Sequence, residues 1–160
     1  HNGYLKVDSG SVEFDKNTPV SASIKMNMQS ITNEDLKSEE WNKKLVGHLK
    51  SPDFFDVKKH PTAELKISKI TKIKDTLYQA YGKITIKGIS KDIQFKADIS
   101  GDKKSGHKVK VKLALDRTEF DVRYGSGKFF NNLGDKMISD EFTIEAEIAL
   151  KSQGYDLAAK

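Results

Sequence analysis

The chain has 160 residues, 36% of them hydrophobic and 32% charged, with a net charge of +5 and no cysteine. This length indicates one domain, and the missing cysteines exclude disulfides and thiolate metal sites. No apolar stretch approaches the roughly 20 residues of a membrane-spanning helix. The basic residues are nearly all lysines that recur along the predicted strands, which is typical of a solvated exterior rather than a nucleic-acid interface.

The N-terminal third begins with predicted strands. Two short ones are expected at 4–7 and 11–14, joined by a Ser-Gly-Ser turn at 9–11. From Val20 to Met28, apolar residues occupy every second position, which is the pattern of a half-buried strand. No signal peptide or initiator methionine precedes these strands, so we expect that His1 follows processing or truncation.

The period then changes, and a short helix is predicted near residues 38–50. Ser38 can cap its N-terminus. Three apolar residues follow at helical spacing on one face: Trp41, Leu45 and Leu49. Gly47 and Pro52 require a short helix that ends before the proline. Two aromatic residues of the turn at 51–56 are expected to tuck under the helix: Phe54 and Phe55.

Period-two alternation resumes and continues through most of the remaining chain. Its apolar positions run from Ala63 to Ile67, Tyr78 to Ile86, Ile93 to Ile99, Val109 to Leu115, Thr118 to Val122 and Phe142 to Leu150. Seven or eight strands with short turns predict an all-β antiparallel meander, either a barrel of about eight strands or a two-sheet sandwich. The loop at 125–135 is rich in glycine and asparagine. Residues 1–150 are predicted to form one domain and 151–160 a frayed tail.

Few polar residues suggest metal or phosphate chemistry. His48 and His60 flank the aromatic turn, with Asp53 and Asp56 nearby, but their spacing matches no zinc template. Roles in capping or fixing the loop are therefore favoured. The segment Gly125-Ser126-Gly127 resembles part of a phosphate-binding loop, yet it lacks the lysine and the parallel β-α context that such loops need.

The residue pattern also gives little indication of a catalytic site. Asp116 with Arg117 and Asp121 with Arg123 are interpreted as salt bridges at strand ends. No nucleophile, base and orienting group combine along the chain. The apolar stripe remains, and it mixes large residues with small ones: Ala22, Ala80, Gly82, Ala97 and Ala146. Periodicity favours a filled core, with small residues facing large ones, over a channel that the small residues leave open.

Several motifs, in chain order, resemble the signature of the YceI-like family. They are Lys44-Leu-Val-Gly-His-Leu-Lys-Ser-Pro-Asp-Phe-Phe-Asp56 with His60-Pro-Thr-Ala63, Gly82-Lys-Ile-Thr-Ile-Lys-Gly-Ile-Ser-Lys91, Asp116-Arg-Thr-Glu-Phe-Asp-Val-Arg-Tyr-Gly-Ser126 and Leu133-Gly-Asp-Lys-Met-Ile-Ser-Asp140. The resemblance extends from the His-Asn-Gly start to about Leu150 and is most similar to members from Bacteroidetes-type bacteria. Members usually carry a further strand before that start, so closure of the barrel is left open.

The resemblance implies an extended, lipocalin-like β-barrel that holds a long polyisoprenoid, such as a quinone or polyprenyl chain. It places the protein in the periplasm or outside the cell, with no catalytic residue, metal or cofactor other than the lipid. The tunnel would be lined by Ile24, Met26, Met28, Leu65, Ile67, Ile84, Ile86, Phe95, Val111, Leu113, Phe120, Phe142 and Ile144. The mouth or lid would consist of Phe54, Phe55, Phe129 and Phe130.

The expected partner is therefore an isoprenoid lipid, without nucleic acid and without stable membrane insertion, and a homodimer is left open. The polar head of the lipid would stay at the mouth near lysine or tyrosine side chains. Two other functions remain open at this point. A stress-response or interaction protein would have a filled barrel, and a lipid hydrolase or isomerase would need polar groups converging inside it.

Overall fold

The computed structural model describes residues 1–151 and 157–158 and contains one antiparallel sheet whose strands follow chain order. The strands are β1 (Lys6–Asp15), β2 (Thr18–Asn27), β3 (Thr62–Lys74), β4 (Leu77–Ile86), β5 (Ile89–Asp102), β6 (Gly106–Asp116), β7 (Glu141–Leu150) and the two-residue β8 (Leu157–Ala158). The all-β antiparallel meander is confirmed, with seven long strands. The predicted tail, apart from Lys151 and β8, lies outside the described residues.

Alternation along the strands separates an apolar face from a charged one. On β6 and β7, Val111 lies opposite Ala146 and Leu113 opposite Ile144. The intervening positions carry charges, and the Lys112 ammonium lies 3.0 Å from the Glu145 carboxylate. Directly opposed residues share one face of a sheet, so these strands present apolar side chains inward and cross-strand ion pairs outward. The lysines of β6 therefore belong to the exterior.

The sheet curls strongly, and one ring contact demonstrates it. Phe14 on β1 stacks on His107 on β6, with ring centroids 4.4 Å apart. These strands are separated by four others in the sheet order, so their side chains meet only because the sheet folds over on itself. β8 brings the end of the sheet back towards β1. The architecture is a curled half-barrel with an apolar inner face.

The described residues contain one α-helix, α1 (Glu39–Lys50), and it forms where the capping pattern predicts it. The Ser38 hydroxyl accepts a hydrogen bond from the Trp41 amide at 3.4 Å, which satisfies one free donor of the first turn. The helix ends two residues before Pro52. The expectation that Trp41 belongs to the buried face of the helix is wrong, because its side chain is 60% exposed and lies under the Lys44 ammonium.

The expected turn at 9–11 is also wrong, since β1 is one continuous strand. Ser9, Gly10 and Ser11 pair with Lys25, Ile24 and Ser23 of β2. The register shifts between Val7 and Ser9, where the strand carries a bulge at Asp8. A bulge adds one residue and breaks the two-residue alternation, and the sequence pattern therefore resembles two strands. A second shift, between Glu13 and Phe14, accompanies an exposed Val20, which was expected inside.

The strand expected from Thr118 to Val122 is replaced by a 3₁₀ turn at Arg117–Phe120. The Asp116 carboxylate accepts a hydrogen bond from the Thr118 amide at 2.9 Å and caps this turn. Asp121 then adopts a left-handed conformation with φ 59°, which a strand does not tolerate. Alternation over only three residues does not distinguish a short strand from a capped turn.

Candidate functional site

The connections between strands differ sharply at the two ends of the half-barrel. At one end the turns are tight, as at 75–76 between β3 and β4. At the other end lie the long segments 28–61 and 117–140 and the short turn at 87–88. We call these three connections the cap. The cap contains α1 and the predicted aromatic mouth, and it lies at this end of the inner face.

The inner face is divided into a filled part and an accessible part. The filled part is a cluster of buried residues from β3, β4 and the cap: Met28, Val57, Ala63, Leu65, Ile67, Ala80, Ile84, Ile86 and Phe120. On β6 and β7 most inner positions are instead half-buried, among them Leu113, Ile144 and Ala146, whereas the paired His107 and Leu150 are buried. The half-buried side chains remain partly accessible to solvent. We call the half-buried inner positions of β6 and β7 the apolar stripe.

All thirteen residues predicted to line a tunnel lie on the inner face or in the cap beside it, and none is exposed. Six are buried: Met28, Leu65, Ile67, Ile84, Ile86 and Phe120. Seven are half-buried: Ile24, Met26, Phe95, Val111, Leu113, Phe142 and Ile144. The structure therefore brings together the predicted set, and it also separates the residues that fill the core from those that remain accessible.

The sheet is split at the cap end between β5 and β6. Their ladder ends at the pair Ala97–Val111, although β5 starts at Ile89 and β6 continues to Asp116. Half-buried apolar residues lie on both sides of this split, including Phe95 and Leu113. The buried ring of Phe120 packs into the adjoining core. The apolar stripe is consequently bordered by a stretch in which β5 and β6 form no ladder.

A buried arginine holds the 117–140 segment of the cap in place. The side chain of Arg117 is only 4% exposed. Its guanidinium donates hydrogen bonds to three backbone carbonyls: Ser139 at 2.8 Å, Val122 at 2.8 Å and Ile138 at 3.1 Å. Asp140 lies 3.6 Å away as its counter-ion. Burial lowers the pKa of Arg117, and the neighbouring carboxylates of Asp140 and Asp116 oppose that shift. The guanidinium remains charged and cross-links both ends of the segment.

A second cation joins the three connections of the cap. The Lys87 ammonium donates hydrogen bonds to the carbonyls of Asp121 at 3.0 Å and Pro52 at 3.3 Å. Lys87 and Gly88 form the β4–β5 turn with positive φ values of 52° and 74°, as a two-residue hairpin requires. His60 packs so close to Gly88 that an added Cβ there would lie 3.1 Å from its ring. Sequence reasoning missed the contacts of both cations, because four of the five acceptor carbonyls are more than 20 residues away in the chain.

The four predicted mouth residues lie in the cap, in two different environments. Phe54 is 6% exposed and packs against the His48 and Tyr124 rings and under the Arg117 guanidinium. Phe55 is half-buried beside Phe142 of β7. The other two are much more open: Phe129 at 46% and Phe130 at 49% exposed. Phe54 thus supports the cap from inside, whereas the 129–130 pair forms part of its surface.

The polar candidates have structural contacts. His48 lies 3.5 Å from the Asp53 carboxylate, and Asp121 pairs with Arg123 at 2.8 Å. Ser126 is fully buried, and its hydroxyl accepts a hydrogen bond from the Lys128 amide at 3.2 Å. Within residues 1–151 and 157–158, no three His, Asp or Glu side chains are placed to hold a metal ion. In that same part of the chain, no helix is long and apolar enough to cross a membrane.

Two clefts lie along the outer face of the sheet. One has a volume of about 720 Å³ along β3 to β5, and the other about 490 Å³ along β1 to β3. Both include Glu64 and Lys66 in their walls. Their charged lining does not suit an apolar chain, because burying an ion without a partner is costly. The apolar stripe is the better candidate for binding.

Acid is expected to weaken the cap through Asp116. Hydrogen bonds from Lys128 and Thr118 lower the pKa of this carboxyl from 3.8 to about 2. Above pH 3.8 the carboxylate is charged in both states, and its folded-state partners stabilise the protein. As the pH falls from 3.8 towards 2, the unfolded chain binds the proton first and this stabilisation is lost.

Urea unfolding at pH 7 and pH 3 measures this effect. Asp116→Asn should be less stable than the wild type at pH 7, and its stability should fall less between the two pH values. Lys128→Gln removes the principal partner of the carboxylate and should reproduce much of that change. Equal pH dependence in the wild type and Asp116→Asn would contradict the assignment.

A curled antiparallel half-barrel with an apolar inner face and a helical cap defines the class of protein. Its sequence identifies the family within this class. A model of the YceI-like domain matches residues 1–150, and the chain belongs to the YceI-like domain family. The resemblance found in the motifs is confirmed at this level.

Sequence relatives support the same assignment. The chain is 26% identical over 103 residues to a UPF0312 protein of Pseudomonas putida, covering 64% of this chain and 51% of the relative. It is 24% identical over 155 residues to a UPF0312 protein of Photorhabdus laumondii, covering 97% of this chain and 69% of the relative. The chain spans about half the length of the first curated relatives that it matches.

Solved structures share the fold at low sequence identity. BcnA of Burkholderia cenocepacia superimposes with a TM-score of 0.69 at 23% identity, over 89% of this chain and 82% of that one. The Campylobacter jejuni YceI protein gives 0.66 at 23%, over 94% and 86%. A polyisoprenoid-binding domain from Saccharophagus degradans gives 0.59 at 10%, over 91% and 97%. These likenesses concern the fold alone.

Proposed function

We propose that this protein binds one long apolar lipid, of the polyisoprenoid, quinone or polyprenyl class, along its inner face. The observation that carries the proposal is the half-burial of the apolar stripe, including Val111, Leu113, Ile144 and Ala146. A filled core would bury these side chains, as it does around Ile84. The fold is shared with a domain described as polyisoprenoid-binding, which supports this ligand class.

Hydrophobic transfer supplies the affinity. Each buried CH₂ group contributes about 0.8 kcal/mol, so a lipid with tens of carbons gains far more than association costs. Met26 is half-buried on the same inner face, and its flexible thioether adapts to an irregular chain. The polar head of the lipid remains in water at the cap, where lysine and tyrosine side chains are exposed. Binding on this model is partition into an apolar space, with no covalent step.

The proposed role is non-catalytic and lies outside the cytoplasm. No enzymatic activity, metal or second cofactor is assigned, because the thirteen predicted lining residues offer no acid, base or nucleophile. We place the protein in the periplasm or outside the cell, as a lipid carrier of a Bacteroidetes-type bacterium. The half-barrel closes around its ligand as the lipocalin-like family architecture implies. A homodimer forms no part of the mechanism.

A filled-core interaction protein is the second candidate, and one observation favours it. The cluster around Ile67, Ala80 and Ile84 is buried to below 6% exposure and leaves no room for a ligand beside β3 and β4. If the side chains of the apolar stripe also pack against each other in solution, no space remains for a lipid. The protein would then act through its surface. The presence of bound lipid separates the two candidates.

Native mass spectrometry of the purified protein, followed by organic extraction, tests the proposal. A bound isoprenoid or quinone in a one-to-one ratio is the expected result. An apo mass that remains unchanged after incubation with polyprenyl lipids would overturn it in favour of the filled core. Extraction also identifies the lipid class, which the structure leaves open among the three named.

A matched pair of alanines on the β6–β7 ladder makes the test specific. Ala146 lies inward and half-buried, whereas Ala114 on the neighbouring strand is exposed outward. Ala146→Phe places a large ring beside Val111, at an overpacking cost to the complex of about 1–3 kcal/mol, or about a 5- to 150-fold loss of affinity. Ala114→Phe should bind lipid like the wild type. Equal occupancy in both variants would show that the stripe is not the binding site.

A further inference from the structure

The inner face ends in a compact layer of side chains at the end of the half-barrel where the turns are tight. His107 and Leu150 form the last inward pair of β6 and β7, and they are only 6% and 3% exposed. Phe14 of β1 stacks on the His107 ring, with centroids 4.4 Å apart and 27° between the ring planes. We call Phe14, His107 and Leu150 the end layer. It joins β1 to β6 and β7 across the curled sheet.

The end layer lies at the termini of its three strands. Phe14 is followed in β1 only by Asp15, His107 is preceded in β6 only by Gly106, and Leu150 is the last residue of β7. The adjoining turns at 16–17 and 103–105 are exposed. A ligand chain that follows the inner face from the cap therefore meets the end layer before it can leave the molecule at this end.

Burial changes within one step of the β6–β7 ladder. The next inward pair, Val109 with Ile148, is half-buried, and so are all further pairs up to Leu115 with Phe142. The half-buried stretch of β6 from 109 to 115 rises by about 20 Å, at roughly 3.4 Å for each residue of a strand. The apolar stripe is therefore a stretch of limited length with a buried wall at one end.

The wall is uncharged and stiff. Burial lowers the pKa of His107 from 6.5, while the nearby carboxylate of Asp102 opposes this shift. The imidazole is consequently neutral at pH 7 and imposes no charge on an apolar neighbour. Aromatic side chains have few rotatable bonds, and stacking restrains both rings. The rings of Phe14 and His107 thus yield less to an advancing ligand than the flexible thioether of Met26 does.

We propose that the end layer sets the greatest length of isoprenoid chain that the inner face can bury. This inference rests on the proposed function, in which the polar head of the lipid stays at the cap and its apolar chain follows the stripe. Each added isoprene unit buries more surface until the tip of the chain meets the rings of Phe14 and His107. Further units remain in water and add no affinity. The two rings therefore determine the specificity for chain length.

Native mass spectrometry with geraniol, farnesol, geranylgeraniol and solanesol, isoprenoid alcohols of increasing length, tests the proposal. In the wild type, affinity should rise with length and then level off. Phe14→Ala opens the end layer, so solanesol should bind this variant at least about tenfold more tightly than the wild type, since each further buried CH₂ strengthens binding about fourfold. The affinity for farnesol should stay unchanged, because its chain is shorter than the stripe.

Three further variants separate length selection from a general effect on folding. His107→Ala should shift the length preference like Phe14→Ala and replaces it should that variant fold poorly. His107→Phe retains a ring in the wall and should keep the wild-type preference. Tyr81→Ala is the matched control, because this aromatic residue is 38% exposed on the outer face, and it should also behave like the wild type. Circular dichroism shows whether each variant is folded.

The outcomes distinguish the end layer from the proposed function. An equal loss of affinity for alcohols of every length in both alanine variants would show that the rings only stabilise the fold, and it would overturn the inference. A wild-type length preference in both variants would also overturn it and leave lipid binding intact. A wild type that binds none of the alcohols would overturn the proposed function together with the inference.

Discussion

Arg117→Met is expected to lower the free energy of unfolding by about 3–5 kcal/mol, because each buried group left without its hydrogen-bond partner costs about 1–3 kcal/mol. Methionine retains the length of the side chain but leaves three carbonyls without their donor, those of Val122, Ile138 and Ser139. It also removes one of the two cations near the half-buried carboxylate of Asp140 and leaves only the Lys128 ammonium, 4.0 Å away. Urea unfolding followed by circular dichroism measures the loss.

The two arginines of the chain provide a matched comparison. Arg123 is exposed, with 58% of its side chain accessible, and pairs with Asp121 at the surface. Arg123→Met should therefore cost only about 0–1 kcal/mol. Arg117→Lys retains the charge but not the planar fork that reaches three acceptors, so its stability should lie between wild type and Arg117→Met. Similar losses at 117 and 123 would contradict the assignment of Arg117 as the clamp of the cap.

Gly82→Ala is expected to destabilise the sheet by at least about 3 kcal/mol, at the upper end of overpacking costs. A Cβ at this position of β4 would lie 2.0 Å from the Lys66 carbonyl oxygen and 2.8 Å from the Ile67 Cα. Both are backbone atoms of β3, so the clash is relieved only by separating two paired strands. These strands carry much of the buried cluster, and their separation would also loosen the core.

Gly47 in α1 is the control for this substitution, because an added Cβ there has no atom within 4 Å. Gly47→Ala should raise the stability by about 0.5–1 kcal/mol, since glycine is the poorer residue within a helix. The midpoints of thermal and urea unfolding should therefore shift in opposite directions: downward for Gly82→Ala and upward for Gly47→Ala. A Gly82→Ala protein as stable as the wild type would show that β3 and β4 are not held as closely as described.

The inner face is packed unevenly. Ile67 and Ile84 are buried on one side, while Leu113 and Ile144 are half-buried on the other. In the sequence, these four positions are equivalent, since each is an aliphatic residue at an inward position of an alternating strand. Periodicity reports which face a residue occupies. It does not report what lies opposite that face.

Local rules in the sequence determined most of the secondary structure and the composition of the inner face. Alternation over seven or more residues identifies β2, β4 and β6, because neighbouring side chains of a strand point to opposite faces. Ser38 and Pro52 set the limits of α1 through capping and through the missing amide of proline. Each of these signals depends on residues only a few positions apart, so the sequence contains all that is needed to interpret them.

The tertiary structure alone decided how the sheet curls, where it splits and what closes its end. Arg117 resembled half of a surface salt bridge, but it is buried, and two of its three acceptor carbonyls lie 21 and 22 residues further along the chain. The bulge at Asp8 and the 3₁₀ turn before Asp121 likewise depend on how the chain pairs and turns in space. Such contacts form between segments distant in sequence, where no periodic pattern records them, and they decide which apolar residues remain accessible.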